Sequence, residues 1–221
     1  MTTNMNAVQK LVKFADTRRG KRILIGSAIG IIALAGIIGG YYWHITSFNE
    51  RAQKAFMDSM VEFEQALTGQ EGVSWTDVER TFDTGSRAFA GSTFGPYFKV
   101  FQADAYVHQN KHTEAITIMR DALAQLSPKN PLYFLYDTKL ALMLLDSSDD
   151  ALHDEGSALL KSLADNTVNG YRDMALYYLG FYARAQDDQA SVQKYWQQLL
   201  QEFGSDSVWA EMVNAQREFA V

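Results

Sequence analysis

Apolar residues recur every three or four positions along most of the chain, the spacing of a single buried face on an α-helix. Phe48, Ala52, Phe56, Met60, Phe63 and Leu67 form the first such series, and Gly69 and Gly72 end it. Ser74 followed by Asp77 has the form of a capping box, which predicts a second helix running to about Ala90. Pro96 suits the first turn of a third helix, where a backbone N–H would have no helical acceptor. No stretch alternates with period two between turn residues, so no sheet is expected and the chain reads as all-α.

Small residues give these helices an order. Ala103, Tyr106, Ala115, Met119 and Ala122, followed by Pro128, match the pattern of a tetratricopeptide (TPR) hairpin. Alanines at the crossing let two antiparallel helices approach closely, while Tyr106 and Met119 fill the gaps beside them. Asn110 to Thr113 are expected to make the turn. Downstream, Leu176, Leu179, Gly180 and Ala183 match a first helix and Val192, Trp196 and Leu199 a second, with Asp187 and Asp188 between them. Ala103 and Gly180 hold equivalent places 77 residues apart, whereas two standard repeats need about 68. One middle repeat is therefore expected, with helices Tyr133–Leu145 and Ala158–Ala164 and an insertion in the polar stretch Asp146–Gly156. Residues 45–90 supply a degenerate first hairpin. Trp209, Met212, Val213 and Phe219 mark a C-terminal helix that caps the last apolar face of a TPR-like α-solenoid.

From Ile23 to Trp43 the chain runs 21 residues without a charge, and about 20 suffice for a helix to cross a bilayer core. Tyr41, Tyr42 and Trp43 close the run with rings suited to the headgroup layer, and Lys21 and Arg22 close its other end. Three segments follow: a basic cytoplasmic N-terminus at 1–22, a transmembrane helix at 23–43 and an extracytoplasmic domain at 44–221. The orientation rests on charge. Residues 1–22 carry six Lys and Arg against Asp16, a net +5, while the rest of the chain sums to −11. So acidic a body also argues against nucleic acid as a partner. Ala33-Leu34-Ala35 has the form of a signal-peptide cleavage site, but apolar residues continue past it, so a retained anchor is expected. Gly26, Gly30, Ala33, Gly36 and Gly40 share one side of this helix, a stripe on which a second membrane helix packs closely.

Candidate chemistry is sparse. The chain has no cysteine, so it has no disulfide framework and no thiol nucleophile. His108 and His112, with Glu114 nearby, suggest metal ligands until the turn between them is considered, which keeps them off one helical face. Asp146, Asp149 and Asp150 lack the glycine and distal glutamate of an EF-hand loop. There is no Walker-type phosphate loop, G-x-S-x-G elbow or H-E-x-x-H helix. No catalytic residue, metal, cofactor or small-molecule substrate is expected. Clusters of three or four aromatics, however, cannot all face a core. The first helices, near Tyr97–Val107, Tyr133–Leu145 and Tyr171–Ala183, are expected to line a groove, with Tyr97, Phe101, Tyr133, Tyr136, Tyr177 and Phe181 as candidate partner-binding residues.

A short basic N-terminus, one span and a train of TPR-like hairpins: in this layout the chain resembles the YfgM-type proteins of bacterial inner membranes. The resemblance implies a periplasmic domain and an ancillary subunit of the Sec translocon. It also implies association with a membrane-anchored, prolyl-isomerase-like chaperone, exported proteins as clients, and no catalytic residues. The lengthened middle repeat and the poorly matched first hairpin depart from the family's simplest pattern. The function expected on these grounds is a non-enzymatic scaffold or chaperone co-factor in the cytoplasmic membrane. The alternative is a periplasmic envelope-assembly factor released by cleavage after Ala35.

Overall fold

The computed structural model describes the backbone of residues 18–218 and the side chains of residues 36–216. Among the described residues the fold is all-helical, with nine α-helices, a 3-10 turn at Gly204–Asp206 and no strand. The chain divides into two compact units, residues 1–51 and 52–221, and helix α1 (Arg18–Leu67) contributes to both. Among the described residues no helix is long and apolar enough to cross a membrane. The expected span falls largely elsewhere, since the side chains of residues 23–35, Gly26, Gly30 and Ala33 included, lie outside the described residues. Of the small-residue stripe, Gly36 and Gly40 are described, and a Cβ added at either would meet nothing.

In the second unit the helices follow one another as hairpins. Gly69 and Gly72 adopt the left-handed backbone (φ +69° and +90°) that releases the chain from α1. The capping box forms as expected: the Ser74 hydroxyl accepts from the Asp77 N–H and the Asp77 carboxylate reaches back, starting α2 (Trp75–Ala88). Pro96 lies in the first turn of α3 (Gly95–His108). Next come α4 (His112–Gln125), α5 (Tyr133–Leu145) and α6 (Asp150–Asp165), then α7 (Arg172–Ala185), α8 (Gln189–Glu202) and α9 (Val208–Glu218). From α2 to α9 each helix packs on the next, and α9 packs on both α7 and α8.

Two details depart from the sequence reading. The first turn is tighter than expected: Asn110 takes a left-handed backbone (φ 60°) and α4 already begins at His112. The expected insertion is absent. Asp149 caps α6 by accepting from the Ala151 N–H, so the polar stretch Asp146–Gly156 is a turn followed by helix, its charged residues forming the outer face. The extra length is spread evenly instead. The starts of α3, α5 and α7 are 38 and 39 residues apart, and those of α4, α6 and α8 likewise. Each repeat exceeds the standard length of about 34 through its junctions, at residues 126–132 and 166–171.

The core forms three clusters in series. Phe63, Ala66, Val78, Phe82 and Phe98 join α1, α2 and α3. Val100, Ala115, Met119 and Leu140 join α3 to α5, and Leu160, Leu176, Trp196 and Val213 join α6 to α9. The small residues sit where the repeat pattern puts them. Ala103, Ala115 and Ala122 are completely buried, and Gly180 faces the Trp196 ring. Ala141, also completely buried, occupies the equivalent place in the middle repeat, with Gly156 of α6 against its carbonyl.

Candidate functional site

The second unit holds a groove of about 850 Å³, lined mainly by α1, α3, α5 and α7, the first helices of successive hairpins, with His153 of α6 at one side. One stripe of each helix faces it, set by the three-to-four-residue spacing of a helical face. On α3 the stripe is Phe101, Asp104 and His108. The same places 38 or 39 residues on are Lys139, Leu142 and Asp146, then Tyr178, Phe181 and Ala185. Leu67, at the end of α1, extends the apolar wall, and Phe181 leaves 51% of its surface exposed.

Several polar groups in the groove have partners, one pair within it and the rest outside it. The Lys139 ammonium donates to the Asp104 carboxylate, which is buried. Burial pushes the Asp104 carboxyl above its usual range, against the opposing pull of Lys139 and, more weakly, His108. The His108 ring stacks on Trp75 at 3.8 Å, nearly parallel at 6°. A ring nitrogen of His153 is bonded to the Ser147 carbonyl. Asp146 at the rim lies 3.5 Å from the His112 ring. His108 and His112 are thus directed to different neighbours, and among the described residues no group of three metal-binding side chains occurs. No serine, threonine or cysteine lies among the described lining residues.

The six aromatics nominated from sequence divide sharply. Phe101 and Phe181 line the groove. Tyr97 is half-buried, and its hydroxyl accepts from the Asn130 amide at 2.8 Å, tying α3 to the junction that follows α4. Tyr136 is buried, edge-on to Tyr97, and burial pushes its phenol up to about 12. Tyr133 packs edge-on against Phe134, and burial, then Asp137, raises its pKa. Tyr177 is buried between Trp196 and Trp209, and its hydroxyl accepts from the Gln216 amide at 3.1 Å. None of these four lines the groove, which takes Tyr178 and Tyr182 instead. Tyr178 directly follows Tyr177, so the two point to different faces, and only the facing of the whole helix tells which goes where. The Asp104–Lys139 pair was missed for another reason: its 35-residue separation has meaning only once the period is known.

No protein-family model matches this chain, and neither a curated protein nor a solved structure matches it.

Proposed function

We propose that the chain is a TPR-like α-solenoid held in the cytoplasmic membrane by one N-terminal span, with residues 44–221 outside the cytoplasm. In this reading it is a non-enzymatic scaffold or chaperone co-factor. It serves newly exported proteins at the Sec translocon, together with translocon subunits and a membrane-anchored periplasmic chaperone. The observation that carries the binding role is the groove: stripes of successive first helices, in register at 38 and 39 residues, make one largely apolar surface with a few polar groups set in it. Such a surface suits a polypeptide ligand, since apolar anchors set in a groove carry most of the energy of peptide recognition. The membrane placement is supported by the charge-free run of 21 residues with its basic and aromatic flanks. The translocon assignment rests on the resemblance to YfgM-type proteins.

Photo-crosslinking in intact cells tests this reading. A benzophenone amino acid at Phe181, in the groove, is compared with one at Val168, which is 80% exposed and outside it. Translocon subunits or exported polypeptides should be trapped from position 181 and not from 168. Equal yields from both, or no protein adduct from 181, would remove the groove from the function. External protease on spheroplasts should degrade residues 44–221 and spare the N-terminus.

A further inference from the structure

We infer that the groove, taken as the protein-binding surface proposed above, accepts an amphipathic helix with an apolar face and basic flanks, and not an extended segment. Hydrogen bonding gives the first reason. An extended chain presents N–H and C=O groups along both edges, and each needs a partner once water is excluded. The groove has few to offer. Its walls are helices whose backbone groups are paired within each helix, Asp104 and Lys139 hold each other, and His153 is bonded to the Ser147 carbonyl, which leaves chiefly the Tyr178 and Tyr182 hydroxyls and the Gln186 amide, too few for both edges of an extended chain. A helix arrives with its backbone already paired. Its apolar side chains at i, i+3 or i+4, and i+7 need only an apolar wall, and Leu67, Leu142, Phe181 and Tyr182 provide one.

Charge gives the second reason. Among the described lining residues Lys139 is the one Lys or Arg, and Asp104 neutralises it. Asp146 has the His112 ring at 3.5 Å, which balances it only when protonated. Around this site, residues 52–221 carry 13 Lys and Arg against 24 Asp and Glu. A field of that sign attracts a basic helix and repels an anionic amphiphile, most strongly at low salt. It therefore favours a basic polypeptide over an acidic lipid as the occupant of the same apolar wall.

Defined peptides test this on the full-length protein in zwitterionic nanodiscs, with empty discs as reference and fluorescence anisotropy as readout. The first peptide is about 14 residues, about 21 Å as a helix, with Leu and Phe on one face and Lys on the other. The second carries Glu in place of Lys; the third keeps the first composition but is broken by two central prolines. The first should bind at least about tenfold more tightly than either of the others. Phe181→Ala and Leu67→Ala, at positions more than half exposed in the folded chain, should each weaken it about tenfold. Asp146→Asn should weaken it about two- to fivefold. Equal or tighter binding of the proline-broken peptide overturns the helical occupant, and equal binding of the Glu peptide overturns the basic one. Lysophosphatidylcholine binding that Phe181→Ala abolishes, with no peptide bound, assigns the groove to lipid and overturns both. Protein adducts from position 181 without these peptide preferences would sink the inference and leave the proposed function standing. Absence of adducts would sink the proposed function itself.

Discussion

A Cβ built on Gly180 of α7 would lie 2.1 Å from the indole nitrogen of Trp196 on α8, so the ring fills the space that any side chain at 180 would need. The ring cannot swing aside cheaply, because Trp196 is buried and its indole N–H donates to the Tyr177 carbonyl at 3.1 Å. Gly180→Ala gains about 1 kcal/mol of helix propensity but forces an overlap that typically costs about 1–3 kcal/mol, and more when backbone must move. Net destabilisation is expected, read as a lower thermal midpoint by circular dichroism. Gly170→Ala, where a Cβ would meet nothing, should stay within about 0.5 kcal/mol of wild type. A Gly180 variant as stable as the Gly170 variant would show that the crossing is looser than it looks.

The other hairpin tests the same principle from the opposite helix. Ala115, near the start of α4, is completely buried among Val100, Ala103 and Met119. Three further carbons in Ala115→Leu would overpack this buried site, so a cost of about 1–3 kcal/mol is expected. An unchanged melting temperature would count against close packing of α3 on α4.

The Asp104–Lys139 pair makes stability depend on pH. Burial holds the folded-state pKa of Asp104 above its reference of 3.8, so the native protein binds this proton more tightly than the unfolded chain does. The ionised carboxylate therefore costs stability at neutral pH, and the cost fades as pH falls through the raised pKa. Lys139→Met removes the cation that pulls this pKa back down. The variant should lose about 1–3 kcal/mol at pH 7 and recover part of it at acid pH, as Asp104 takes up its proton at its raised pKa. Urea denaturation at the two pH values measures the difference. A gap between variant and wild type that is the same at both would mean that Asp104 ionises freely.

Much of this was legible from local patterns. The Ser74 cap, Pro96, the Asp187 turn and the small residues Ala103, Ala115 and Gly180 all lie where short-range rules put them, because each rule concerns neighbours within one or two helical turns. Helix α5 runs from Tyr133 to Leu145, as its apolar spacing suggested. The middle hairpin's second helix was misread because its first turns, Asp150 to Glu155, carry charge on the outer face and so resemble a loop. That error also concealed Ala141, which has no visible role until α6 is in place beside it. Tyr177 and Tyr178 could not be sorted from sequence, since a helix turned by one residue exchanges core for groove. Polar contacts between repeats, such as Asn130 to Tyr97 and Ser207 to Asp173, span 33 and 34 residues. No local rule reaches that far.

If residues 23–43 cross a bilayer as proposed, a single tryptophan marks the outer end of the span. Ile37, Tyr41, Tyr42 and Trp43 expose 70%, 64%, 66% and 73% of their surfaces. In water, so much apolar area on four nearby residues is costly, at about 25 cal/mol per Å². In a bilayer the same rings are stable at the headgroup layer, where the indole N–H finds acceptors while the ring stays in an apolar surrounding. Trp43 is the one tryptophan in this stretch; the other three, Trp75, Trp196 and Trp209, are buried or half-buried in the second unit. In nanodiscs, a spin label near the lipid headgroup should therefore quench part of the tryptophan emission, and Trp43→Phe should abolish that quenchable part. A label at the bilayer centre should quench less, because the ring belongs at the interface. Stronger quenching from the centre would move the end of the span past Trp43, and unchanged quenching in Trp43→Phe would sink the placement of this segment in lipid.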